Sequence, residues 1–507
     1  MHERVIVIGG GVGGLVSAAL LAARGLAVTL VEAEAGPGGK LRAIGGIDAG
    51  PTVFTLKPLF DRIFDECGWS LDAALTTRPA HILARHAWGD TRLDLFADPC
   101  ESEAAIGAFA GAAEARGYRA FAAEARRIYQ ALDRPFLQDS KTDPLTLGWR
   151  MGFGGFRDYA TLHPYTSLWK GLGRYFRDPR LRQLFGRYAT YCGSDPFRTP
   201  ATLMLIAHVE AAGVWTIDGG MHQLAGAIEA LGRRLGVSYR YNAPVRRVVT
   251  ERGRAVGIEL ENGERIAGSA IICNADPAAL GSGRFGVRAG ARVAPSSRSL
   301  SALVWLSETH ASGFDLDRHN VFFSPDYRAE FDDLRDGRVP AAPSVYVCAQ
   351  DRPGAPGGAE RIQIIVNAPA TADTRPLTQQ EIEGCTQAMQ SRLAASGLAL
   401  ELPSASTRLL TPADFEALNP ATGGALYGQA SHGWAASFLR QGSRTRIPGL
   451  YCAGGSTHPG AGVPMAALSG RLAVDCLLKD RASTSWWGRA AMRGGTSTRS
   501  ATTAATA

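Results

Sequence analysis

The chain has 507 residues, 45% hydrophobic and 20% charged, with a formal net charge of +7. That length buries a large core and accommodates several domains, and the composition excludes a disordered chain. The positive balance suits an anionic membrane surface but is too diffuse for a nucleic-acid partner, and no apolar stretch after the N-terminal one is long enough to span a bilayer.

The first elements carry the most information. Val5 to Ile8 reads as a strand entering Gly9-x-Gly11-x-x-Gly14, with Gly13 inside the same turn. An Ala/Leu-rich helix follows, then a second strand, Ala27 to Val31, ending in Glu32. This order predicts a Rossmann-type dinucleotide site. Gly9 permits the tight turn, Gly11 the close approach of a pyrophosphate, and Gly14 the packing of helix on sheet. The helix N-terminus supplies oriented N–H groups, and Glu32 can accept from a ribose hydroxyl. Residues 5–23 carry no charge and superficially suggest a signal peptide, but glycines crowd Gly9 to Gly14 and the run leads straight into another strand.

Next come AEAGPGGK (Ala33 to Lys40) with Arg42, the GGIDAGPTVF turn (Gly45 to Phe54) and an amphipathic segment, Leu59 to Trp69. Residues 101–200 read mainly as helix. Residues 145–217 are rich in aromatics with Arg157, Lys170, Arg174 and Arg177 interleaved, a pattern of helical core or of an interfacial surface next to lipid. Residues 216–276 return to a Gly-Gly turn, a helix and alternating strands with turn signals at Arg252–Gly253 and Asn262–Gly263. SALVWLSE, SVYVCAQ and RIQIIVN, between residues 301 and 367, suggest an antiparallel sheet in a separate domain. Leu450 to Ala453, Gly454–Gly455 and a helix from Val463 form a second strand–glycine–helix device, and the Ser/Thr/Ala/Gly composition of 482–507 predicts a disordered tail. The eight cysteines show neither CxxC nor metal-ligand spacing, so no metal is expected and the cysteines read as core residues of a cytoplasmic protein.

VIGGGVGGL with Glu32 and GGK, DAGPTVF, IICNADP, NPATGGALYG (Asn419 to Gly428) and GLYCAGGSTHPGAGVPMAALSG together resemble the bacterial FAD-dependent carotenoid desaturases of the amine-oxidase and phytoene-desaturase superfamily. The resemblance runs from about residue 3 to residue 480. Its details are most similar to the hydroxyneurosporene-type group, the 1-hydroxycarotenoid 3,4-desaturases of spheroidene and spirilloxanthin synthesis. It implies an α/β fold: a Rossmann-type FAD domain, an α+β substrate domain and a helical membrane-facing region. The divisions implied are 1–75, 216–290 and 421–481 for the FAD domain, 76–215 for the helical region, 291–420 for the substrate domain and 482–507 for the tail.

The resemblance further implies non-covalent FAD, an acyclic hydrophobic carotenoid substrate and peripheral membrane attachment, with the electron acceptor, quinone or oxygen, left open. Gly9, Gly11, Gly13, Gly14, Glu32, Gly39, Lys40 and Arg42 would surround the ADP half, and Val245 would meet the adenine. Gly454, Gly455, Val463, Pro464 and Met465 would lie along the ribityl chain and isoalloxazine ring. Desaturation sends a hydride to flavin N5 and loses a neighbouring proton, so the cofactor carries the difficult step and a strong protein base is not required. Phe156-Arg157-Asp158 resembles a stretch given an acid–base role in bacterial phytoene desaturases, but Thr161 stands where that family has a further Arg, so Arg157–Asp158 reads more readily as a structural ion pair. His458 sits in the loop expected to face the flavin. Two other readings stand beside this one: desaturation of phytoene or another acyclic carotene, and a flavin-less lipid-binding escort protein of the same superfamily.

Overall fold

A computed structural model describes residues 4–140, 162–290, 292–352 and 358–493, with side chains to Ser483. Its first unit is β1 (Arg4–Ile8), α1 (Val12–Ala23) and β2 (Ala27–Val31). These belong to a five-stranded parallel sheet in the order Ser238–Arg240, β2, β1, Ala270–Cys273, Leu450–Cys452. Three segments far apart in the chain thus complete one nucleotide-binding sheet.

The uninterrupted VIVI of β1 follows from burial on both faces, as parallel sheets require. Val5 and Val7 point into the helical core, whereas Ile6 and Ile8 pack with Val248, Ile258 and Ile266 of a three-stranded antiparallel sheet over residues 245–267. α1 carries no charge because it is wedged between the helix Gln223–Arg234 and the C-terminal helix Val463–Arg493. Gly470 of the latter stands against Gly13: a Cβ there would lie 2.3 Å from the Gly13 carbonyl oxygen.

A seven-stranded sheet forms the second layer, ordered Arg408–Leu410, Ser301–Thr309, Glu360–Ala368, Val345–Ala349, His319–Phe322, Ile82–Trp88, Thr91–Phe96. All neighbours are antiparallel except His319–Phe322 beside Ile82–Trp88. The sheet expected over 301–367 is therefore present but larger. Residues 82–96, expected within the helical region 76–215, are strands of this sheet. Apart from the strands Thr77–Pro79 and Val214–Ile217, the other described residues of that region are largely helical, and the aromatics Phe176, Phe185 and Tyr188 are buried core.

The C-terminal helix runs to Arg493, so the expected tail from 482 begins as helix. No helix among the described residues is long and apolar enough to cross a membrane, and no His/Cys/Asp/Glu group among them is arranged to hold a metal.

Candidate active site

Two cavities meet between the layers. The first, of about 550 Å³, is lined by Gly9, Gly11 and Gly13, by Glu32, by Ala243 to Arg246 and by Gly454–Gly455. It lies at the carboxyl ends of β1 and β2, where an open parallel sheet binds its ligand. α1 has no side-chain cap at Gly11, and its first intrahelical bond is Leu15 N–H to Gly11 O at 2.9 Å. The N–H groups of Val12, Gly13 and Gly14 therefore lack helical partners at an anion-binding terminus.

The glycines fit a cofactor pressed against the backbone. A Cβ on Gly13 would stand 2.7 Å from Asn274 Oδ1 and 2.9 Å from the Gly454 nitrogen. On Gly14 it would stand 2.1 Å from the Gly9 carbonyl oxygen, which places Gly14 behind the turn as a packing residue. Glu32 is 9% exposed, and its two oxygens accept Gly10 N–H at 2.5 Å and Glu34 N–H at 2.9 Å. Those bonds fix the carboxylate while each oxygen keeps a lone pair for a ribose hydroxyl. The buried Asn274 Oδ1 and Asp276 Oδ2 have no partner among the described residues, and both residues line the cavity. These orphaned acceptors, the uncapped helix and the glycine cradle suit the ADP half of FAD.

The second cavity, of about 350 Å³, is walled largely by apolar side chains such as Val53, Ile206, Val304, Val321, Phe323 and Ile365. Lys40, Pro51, Leu418, Leu426, Tyr427, Gly462 and Val463 line both rooms and mark the junction. Lys40 Nζ donates to the Leu426 carbonyl at 2.6 Å, and burial pulls its ammonium below the ordinary range, against the opposing pull of Asp276.

The structure distributes the expected residues unevenly. Gly39 and Val245 line the first cavity with the N-terminal glycines. Lys40 stands at the junction, and Arg42 lines only the apolar cavity, with Nε on the Gly39 carbonyl at 2.7 Å. Pro464 lines the apolar cavity, whereas Met465 lines neither and packs against the helical core. Arg157 and Asp158 lie outside the described residues.

His458 also lines neither cavity. It is 2% exposed and its Nε2 lies 2.9 Å from Phe136 O and 3.1 Å from Asp139 O, with its ring edge-on to Phe136. Burial lowers its pKa to about 4, opposed by those two carbonyls, and the ring ties its loop to the segment that follows the helix 112–132.

Sequence reasoning passed over the polar side chains of the apolar room. Glu210 accepts Tyr188 and Tyr191 hydroxyls at 2.5 and 2.8 Å, and the Arg187 guanidinium lies 4.9 Å from the centre of the Tyr191 ring. Thr52 and Tyr346 hydroxyls are 2.7 Å apart, and Glu330 accepts from Ser344 at 2.6 Å. Asn274 carried a legible signal, since it sits in the IICNADP motif at the end of a strand.

Residues 12–478 match the family described as flavin containing amine oxidoreductase. The chain is 48% identical to the hydroxyneurosporene desaturase of Rubrivivax gelatinosus, over 99% of this chain and 98% of that protein. It is 44% identical to the hydroxyneurosporene desaturase of Cereibacter sphaeroides, over 95% and 99%. Among solved structures, a redesigned putrescine oxidase superposes with a TM-score of 0.57 at 16% identity, over 94% of this chain and 99% of that one. With the nucleotide cradle and the motifs that build it, these likenesses establish that the chain belongs to the flavin-containing amine oxidoreductase family, as an FAD-dependent oxidoreductase.

Proposed function

We propose that the protein desaturates acyclic 1-hydroxycarotenoids such as 1-hydroxyneurosporene, introducing a C3,4 double bond. The observation that carries this reading is the junction at Lys40, Pro51, Tyr427 and Val463, where a nucleotide cavity opens into an apolar one. A polyene entering the apolar room buries hydrocarbon against Val53, Ile206 and Phe323 while its reacting end reaches the junction. When bound, FAD supplies the hydride acceptor. The uncapped end of α1 and the fixed Glu32 carboxylate hold its nucleotide half, so the apolar wall sets which carbons meet the ring. Desaturase relatives at 42–48% identity over nearly their whole length support the substrate class.

A peripheral membrane contact belongs to the same reading. Tyr165 and Trp434 are 73% and 45% exposed with ring centres 5.9 Å apart, Leu439 is 61% exposed, and Lys170, Arg174 and Arg177, which follow Tyr165 in sequence, are exposed. Aromatic and aliphatic side chains flanked by cations suit an anionic bilayer surface. The test incubates FAD-loaded protein in lipid with 1-hydroxyneurosporene and, separately, phytoene. A red-shifted product two hydrogens lighter from the hydroxylated substrate supports the reading; turnover of phytoene alone moves the enzyme to another step.

A further inference from the structure

We infer that Arg187, with Tyr327, is the group that reads the substrate's terminal hydroxyl, and so sets the preference for hydroxylated over plain hydrocarbon ends. The inference rests on the desaturase reading above.

Arg187 is 7% exposed, lines the apolar cavity, and carries Nε and Nη2 without a hydrogen-bond partner among the described residues. Unpaired N–H donors on two nitrogens beside an apolar-walled room are costly unless something that enters the room accepts from them. Tyr327 and Ser301 line the same cavity, and their buried hydroxyls are likewise unpartnered among the described residues. The room thus offers a cationic donor together with hydroxyls that both donate and accept.

Charge identifies the class of ligand. Glu210, 3% exposed and held by two tyrosine hydroxyls, already acts electrostatically on Arg187. A carboxylate or phosphate would bring surplus negative charge into this apolar room, whereas a neutral alcohol satisfies the free donors without it. A tertiary alcohol also has one proton to give, which Tyr327 Oη can accept.

Position agrees. A hydroxyl on C1 is separated from the C3–C4 bond by a single methylene, so its reader must share the room in which that bond reacts. Arg187 does: its neighbour Tyr191 and the Thr52–Tyr346 pair line the same cavity, and Thr52 directly follows Pro51 at the junction. A site built to bond a hydroxyl discriminates strongly against the analogue that lacks it, because its polar groups are then left unsatisfied.

The experiment compares 1-hydroxyneurosporene with neurosporene, its deoxy analogue, using FAD-loaded wild type, Arg187→Lys, Tyr327→Phe and the charge-matched double variant Arg187→Met/Glu210→Gln. Flavin content and thermal melting select the variants that fold, and the milder Tyr327→Phe keeps the test open if the double variant does not. We expect the wild-type ratio of kcat/KM, hydroxylated over deoxy, to fall roughly 10- to 100-fold in the double variant, with smaller falls in the other two. Equilibrium binding of the two polyenes should show the same loss of preference. Folded variants that keep the wild-type ratio would overturn the assignment of Arg187 and Tyr327. A wild type inactive on the hydroxylated substrate would instead overturn the desaturase reading itself.

Discussion

Replacing Gly14 by alanine tests the nucleotide cradle through a single methyl group. The added Cβ would stand 2.1 Å from the Gly9 carbonyl oxygen, where ordinary contacts are 3.4–4 Å, and also 3.2 Å from Asn274 Cβ. The atom it strikes is backbone at the tightest point of the turn, so no side-chain rotation relieves it; α1 must lift away from β1. Overpacking of this kind costs about 1–3 kcal/mol in stability. The displaced turn also loses aim at the pyrophosphate, and hydrogen bonds to a charged group are worth about 1.5–3 kcal/mol each. One such bond lost corresponds to a roughly 10- to 100-fold weaker hold on FAD. Gly226→Ala is the control: it lies within the helix Gln223–Arg234, nothing stands within 4 Å of its added Cβ, and helix propensity favours alanine by about 1 kcal/mol. The assay measures flavin per chain after gel filtration and thermal melting of apo and FAD-loaded protein. Gly14→Ala should lose flavin and melt early in both forms, while Gly226→Ala should keep flavin and melt no earlier. A Gly14→Ala protein with full flavin and an unchanged melt would refute the packing argument.

Glu32→Ala removes the acceptor held by Gly10 and Glu34 N–H groups; FAD affinity should fall about 10- to 100-fold by fluorescence titration, with folding retained. His458→Asn should lower the melting temperature, yet leave the pH profile of turnover by any flavin-loaded enzyme unchanged, since His458 touches neither cavity. Because burial lowers its folded pKa from 6.5 to about 4, its contribution to stability is present above pH 6.5 and fades as the pH falls toward 4; melts between pH 8 and 4.5 should show a shallower acid loss in the variant. Glu330 runs the other way. Burial raises its carboxyl from 4.5 to about 7, against the Ser344 hydrogen bond, so its stabilisation is present below pH 4.5 and lost as the pH rises through 7. Glu330→Gln should flatten the decline between pH 5 and 8 in the same melts.

The nucleotide site was legible because its chemistry is local: strand, glycines, helix and acid occupy consecutive positions from Val5 to Glu32, and the structure assembles Gly9, Gly11, Gly13, Glu32 and Val245 around one cavity. What was missed depends on contacts distant in sequence. Ile82–Trp88 pairs locally with Thr91–Phe96 across Gly89–Asp90, but it joins the seven-stranded sheet only through His319–Phe322, a partner that local composition does not reveal. The apolar room draws its walls from residues 40–55, 187–210, 300–367, 410–427 and 462–464, so no single stretch announces it. Arg187 resembled any arginine in an aromatic helical region until Glu210 and Tyr191 were seen around it. His458 lies in the loop after Gly454–Gly455, but the Phe136 carbonyl that its Nε2 meets lies 322 residues earlier. The polar composition beyond 481 suggested a tail, yet the helix that packs Gly470 on α1 continues to Arg493.

In the proposed function, the apolar room holds a polyene where bound flavin takes its hydride. The most direct measurement is an anaerobic single turnover: FAD-loaded protein in lipid is mixed with 1-hydroxyneurosporene, and flavin absorbance and product mass are followed together. The oxidised flavin should bleach in step with one equivalent of product lighter by two hydrogens. Bound, chemically reducible flavin that stays oxidised beside unchanged substrate would contradict it.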